Sequence, residues 1–118
     1  MKKVLIIEDD SFLQGLAANK LDKSGFDATT AKNGEAAMTL LEQEKFDAIL
    51  LDLMLPDISG FDILKGLKES HKKIPVIVFS NLSDDKDIKK ALDLGAKEYL
   101  VKANFTLEEM VEKVKKVA

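Results

Sequence analysis

The stretch Leu5-Ile6-Ile7-Glu8-Asp9-Asp10 drives an apolar run directly into three consecutive carboxylates. A short run without polar alternation fits a strand buried on both faces, as in parallel sheets. The pattern recurs. Val4–Ile7, Ala48–Leu51, Val76–Phe79 and Tyr99–Val101 are short, largely apolar and rich in Val, Ile and Leu. Asp27–Thr30, which follows the Ser24-Gly25 break, carries little apolar weight and reads as an edge strand.

The segments between these runs carry helical periodicity with recognisable ends. Phe12, Leu13, Leu16, Ala17 and Leu21 form one stripe, opened by Ser11 with Gln14 three residues on and closed near Gly25. Ala36, Ala37, Leu40 and Leu41 form a second behind Asn33-Gly34, and Phe61, Leu64, Leu67 and Lys68 a third. Ile88, Ala91 and Leu92 mark a fourth from near Ser83 to Gly95, and Thr106-Leu107-Glu108-Glu109 is a capping box opening the fifth. Five strands alternating with five helices predict an α/β fold, a doubly wound five-stranded parallel sheet. Its ligand crevice is expected outside the carboxyl ends of the strands.

The 118 residues suit one domain, expected over 1–118, and 46% hydrophobic with 33% charged residues places the chain among globular proteins. The apolar runs are too short to span a bilayer, and Met1-Lys2-Lys3 leads into a strand rather than a signal peptide. The expected address is the cytoplasm, with no membrane partner. No cysteine is present, which excludes disulfides, thiol nucleophiles and Cys-ligated zinc. All 18 basic residues are lysines, dispersed among 21 acidic ones, and no arginine is available to fork onto guanine or phosphate. Direct nucleic-acid binding is therefore not expected.

What the strands deliver at their ends is chemically coherent. The first ends at Glu8-Asp9-Asp10, the third at Asp52, the fourth at Ser80 and the fifth at Lys102. Two carboxylates about 4 Å apart repel by roughly 4 kcal/mol at an effective dielectric near 20, so clustering Asp9, Asp10 and Asp52 calls for a hard cation such as Mg2+. Lys102 is suited to neutralise a phosphoryl group near Asp52, and Ser80 to donate a hydrogen bond to it. Taken singly, each residue also has a plain reading: a solvated turn, a loop start, a strand cap, a surface lysine.

Together, "VLIIEDD", "DAILLDLMLPDISGFDIL", "IPVIVFSN" and "LGAKEYLVKANF" resemble the response regulator receiver family of two-component signalling, along the whole chain. A chemotaxis-type, single-domain member is the expected subtype. The resemblance implies a flavodoxin-like sheet of strand order 2-1-3-4-5. It implies that Asp52 accepts a phosphoryl group from a histidine kinase or phosphotransfer protein. It also implies that Asp9, Asp10 and Asp52 hold Mg2+ with the Met54 backbone carbonyl, Glu8 not being a direct ligand. Ser80 takes the switch Ser/Thr position, Lys102 that of the family's lysine, and Tyr99 that of the aromatic switch. Output is expected through protein contact, to a downstream target or a phosphorylation-linked homodimer, on the face of the fourth helix, fifth strand and fifth helix. No enzymatic turnover is expected beyond self-phosphorylation from small donors and self-dephosphorylation.

Some residues depart from the family pattern. Ala103 follows Lys102 where proline is usual, and a trans peptide is expected there because a cis non-proline bond costs about 3–4 kcal/mol. Asn81 replaces a small residue after Ser80. Met54 and Leu82 are apolar at positions tied to phosphoryl lifetime, which predicts slow self-dephosphorylation. His71 is expected to face solvent. Two other functions stay open on the residues alone. One is a degenerate receiver that binds partners without phosphorylation. The other is a metal-dependent phosphohydrolase, although Met54 stands where such enzymes carry a second Asp.

Overall fold

Apolar strands without polar alternation need cover on both faces, and helices on either side of one sheet supply it. The computed structural model describes residues 1–118. Its elements run β1 (Lys3–Ile7), α1 (Ser11–Lys23), β2 (Asp27–Ala31), α2 (Gly34–Gln43), β3 (Ala48–Leu51), α3 (Gly60–Glu69), β4 (Val76–Ser80), α4 (Asp85–Asp93), β5 (Glu98–Val101), a 3-10 turn (Lys102–Asn104) and α5 (Leu107–Val117). The strands are all parallel, in the order β2-β1-β3-β4-β5, as the resemblance implies.

Alternation along each strand divides the core in two. Leu5 and Ile7 of β1, with Ile49 and Leu51 of β3 and Val78 of β4, face Ala37, Leu41, Ile63, Leu64, Leu67 and Ala91 of α2, α3 and α4. Val4, Ile6, Leu50, Ile77, Phe79 and Leu100 face Ala17, Leu21, Met110, Val111 and Val114 of α1 and α5. Complete burial of a Leu or Ile contributes about 1.5–3 kcal/mol, so these two layers dominate stability. β2 is the half-exposed edge the sequence suggests.

The helix ends obey local chemistry, with one shift. Asp10, not Ser11, N-caps α1: its Oδ1 accepts from the Phe12 and Leu13 N–H groups at 3.0 and 3.1 Å. Gln14 forms no box with Ser11, its Nε2 donating to the Glu8 carbonyl at 3.0 Å. The Thr106–Glu109 capping box forms as expected. At the opposite end of the sheet, where the strands begin, Lys72 Nζ donates to Leu41 O at 2.7 Å and Lys68 Nζ to Asp93 O at 3.1 Å. These two lysines serve the orphan carbonyls at the C-terminal ends of α2 and α4.

Candidate functional site

The sheet ladder runs one residue past β1 and β3, which fixes where the acids stand. Glu8 N–H donates to Ala31 O at 3.0 Å and Asp52 N–H to Ile7 O at 2.9 Å. Glu8 and Asp52 are consequently buried, 4% and 5% exposed, while Asp9 is open to solvent. One carboxylate oxygen from each of Glu8, Asp9 and Asp52 lies within 4.8 Å of the others.

Lys102, in the turn after β5, supplies the single cation of this cluster. Its Nζ stands 2.7 Å from Glu8 Oε1 and 3.1 Å from Asp52 Oδ2. No peptide bond is cis, so Lys102 reaches Asp52 with a trans bond to Ala103. Burial drives the Glu8 carboxyl up to about 7, opposed by the Lys102 hydrogen bond and reinforced by the charge of Asp52. Burial alone would lower the Lys102 ammonium, but hydrogen bonds to Glu8 and Asp52 and their charges leave it raised.

The remaining bonds orient the pieces. Asp52 Oδ1 accepts from Met54 N–H at 3.1 Å, turning the chain so that the exposed Met54 follows the carboxylate directly. Glu8 Oε2 accepts from Asp10 N–H at 3.2 Å. Ser80 is fully buried, its Oγ accepting from Leu82 N–H at 3.3 Å, and Tyr99 Oη donates to Leu82 O at 2.7 Å. The backbone of one residue, Leu82, is thus bonded to both candidate switch residues, through its N–H to Ser80 and through its carbonyl to Tyr99. Burial raises the Tyr99 phenol. Asn81 and His71 are exposed.

The structure therefore brings together Asp9, Asp52 and Lys102, with Ser80 and Tyr99 sharing the loop after β4. It does not bring Asp10 to the cluster, because that carboxylate is occupied at the start of α1. Glu8, which the resemblance does not make a direct ligand, takes the third place. The signal was present: Asp is a preferred N-cap, and the helical stripe begins two residues after Asp10.

Carboxylate oxygens at this spacing beside a strand-end loop are the hard donor set that Mg2+ takes. The receiver-domain family description matches residues 4–115, and the chain belongs to the response regulator receiver domain family. It is 34% identical over 116 residues to the alkaline phosphatase synthesis transcriptional regulatory protein PhoP of Bacillus subtilis, covering 98% of this chain and 48% of that protein. It is 36% identical over 117 residues to the transcriptional regulatory protein CpxR of Escherichia coli K12, covering 99% and 49%. The chain thus spans about half the length of these curated relatives. Among solved structures, the receiver domain of the Francisella response regulator 1452 superposes with a TM-score of 0.94 at 30% identity, covering 99% and 96% of the two chains. The Thermotoga maritima response regulator TrrA, in complex with Mg2+ and BeF, superposes with a TM-score of 0.89 at 30% identity over 100% of both chains. The chemotaxis-type subtype is not confirmed, since PhoP and CpxR are transcriptional regulatory proteins. No helix is long and apolar enough to cross a membrane.

Proposed function

We propose that Asp52 is the phosphoacceptor of a signalling switch, receiving its phosphoryl group from a phosphohistidine on a histidine kinase or phosphotransfer protein. An Asp52 oxygen attacks phosphorus, the P–N bond breaks, and the imidazole leaves. The observation that carries this reading is the Lys102 ammonium 3.1 Å from Asp52 Oδ2, in a site buried on the protein side and open at Asp9. Glu8, Asp9, Asp52 and the Met54 carbonyl are the residues to hold Mg2+, which when bound neutralises charge on the transferring group. Lys102 is placed to do the same from the other side, and Ser80 to donate to a phosphoryl oxygen after giving up Leu82.

Phosphorylation replaces one negative charge on Asp52 by roughly two and adds acceptor oxygens. Ser80 and Tyr99 both hold the Leu82 backbone, so drawing Ser80 inward alters the loop leading to α4. The output surface is α4, β5 and α5, used for a downstream protein or a homodimer. The receiver portion makes no direct nucleic-acid contact of its own, acts in the cytoplasm as a single domain over 1–118, and turns over no small substrate beyond self-phosphorylation from small donors and self-dephosphorylation. Met54, 54% exposed and apolar beside Asp52, offers no group to activate water. That supports slow self-dephosphorylation and weighs against a phosphohydrolase.

Intact mass after incubation with acetyl phosphate, with and without Mg2+, tests the reading. A Mg2+-dependent gain of one phosphoryl group, abolished in Asp52→Asn, is expected. No adduct on a folded protein would instead favour a phosphorylation-independent binding module.

A further inference from the structure

The loop from Asp52 to Gly60, which carries Met54, is fastened at two points. At its base Gly60 N–H donates to Leu53 O at 2.9 Å. At its tip Asp57 crosses to the start of α2, Oδ1 accepting from Gly34 N–H at 2.8 Å and Oδ2 from Glu35 N–H at 2.9 Å. Oδ1 also accepts from Ile58 N–H at 2.9 Å, so the carboxylate is gripped from its own loop as well. The Gly34 and Glu35 amides hold the Asp57 carboxyl below its ordinary value against desolvation, with a lesser contribution from the Ile58 amide.

The contact is close on both sides. A Cβ on Gly34 would collide with the Ile58 side chain and stand 3.2 Å from Asp57 Oδ1, so a glycine at this position lets the loop seat. Capping alone does not account for Asp57. Asn33, immediately before α2, already accepts from Ala36 N–H at 2.8 Å. Asp57 arrives from more than twenty residues away, so its bonds join two segments.

A backbone carbonyl has no rotamer of its own, and its aim follows from how its loop is held. We infer that Asp57 is a positioning residue for the cation site, pinning the loop that presents the Met54 carbonyl to the N-terminus of α2. This rests on the proposed Mg2+ role of that carbonyl. Because coupling is reciprocal, a cation that fixes the loop also tightens the Asp57 bonds to Gly34 and Glu35.

The test is Mg2+ titration by calorimetry on wild type, Asp57→Ala, Asp57→Asn and Asn33→Ala, with amide hydrogen exchange in the presence and absence of Mg2+. Asp57→Ala is expected to weaken Mg2+ binding about tenfold. Asp57→Asn loses the same charge but keeps one acceptor oxygen, and retains part of the affinity. Asn33→Ala lowers Tm without changing Mg2+ affinity, since it loosens α2 but not the loop. In wild type, Mg2+ slows exchange at Gly34 and Glu35. Unchanged affinity in Asp57→Ala overturns the inference, as does equal loss in Ala and Asn, which assigns the effect to charge. Equal loss in Asn33→Ala overturns it too, by assigning the effect to helix stability. Should Asp57→Ala not fold, the wild-type exchange decides, and no slowing at Gly34 and Glu35 overturns it. A wild type that binds no Mg2+ is a separate result, which removes the proposed cation role itself.

Discussion

Glu8 and Lys102 form a buried ion pair, Nζ to Oε1 at 2.7 Å, with side chains only 6% and 13% exposed. The same ammonium serves Asp52, and Asp9 adds a third carboxylate. With all three ionised, one ammonium leaves two negative charges uncompensated, which is the charge of a divalent cation. The metal-free site relieves this in part through protonation of Glu8, whose carboxyl is raised to about 7 by burial and by the neighbouring Asp52 charge.

That protonation predicts a pH dependence. The folded-state value for Glu8, about 7, lies above its ordinary 4.5, so the folded chain binds the extra proton between these values. Stability then falls as pH rises: the Glu8 contribution is complete below the ordinary value and lost as pH passes through the raised one. In EDTA, the Tm of wild type relative to Glu8→Gln is expected to fall from about pH 5 to about pH 8. Stabilisation by Mg2+ is expected to grow over the same range, because ligation needs the ionised carboxylate. A constant Tm difference between the two proteins would refute the assignment.

Lys102→Ala removes the only cation the cluster contains. Leaving buried carboxylates without a partner costs about 3 kcal/mol, as in other broken buried pairs. Urea unfolding in EDTA is expected to show this loss at high pH and a smaller one where Glu8 is protonated, with Mg2+ restoring part of it. Equal losses at both ends of the range would detach Lys102 from Glu8.

Much of the fold was legible because unbroken apolar runs and capping residues are local signals. β1, β3, β4 and β5 lie within one residue of the expected bounds, and Gly25 and Gly95 adopt the positive φ values of 93° and 106° that end α1 and α4. The cluster was less so. Three adjacent carboxylates are chemically alike, and only the direction in which the chain leaves β1 turns Glu8 inward and Asp10 onto α1. The Asp57–Gly34 contact joins segments far apart in sequence with no pattern of its own. The inward hydrogen bond of Tyr99 is likewise a matter of rotamer, which composition and spacing do not encode.

Tyr99→Phe isolates that bond. It deletes the donor to Leu82 O while leaving the ring in place, at a cost of about 1 kcal/mol. Hydrogen exchange is expected to quicken in the loop from Asn81 to Asp84 and at the start of α4, with little change at β1 and β3. A uniform change across the sheet would point to general destabilisation rather than a local link from Ser80 to α4.

Two glycines of α3 give opposite expectations for one substitution. A Cβ at Gly60 would lie 2.6 Å from Leu53 Cα and 2.8 Å from Asp52 O, both backbone atoms that no rotamer change relieves. The strand end cannot retreat, since Asp52 N–H is bonded to Ile7 O and Leu53 is buried. In Gly60→Ala the helix must therefore move, at roughly 1–3 kcal/mol, carrying the loop that follows Asp52 with it. Gly66 meets nothing within 4 Å, so Gly66→Ala is expected to gain roughly 0.4–1 kcal/mol from the reduced freedom of the unfolded chain. Urea unfolding reads both, and acetyl phosphate labelling of Asp52 is expected to slow in Gly60→Ala alone. A Gly60→Ala protein as stable and as readily labelled as wild type would mean that the approach of α3 to Asp52 does not hold the site.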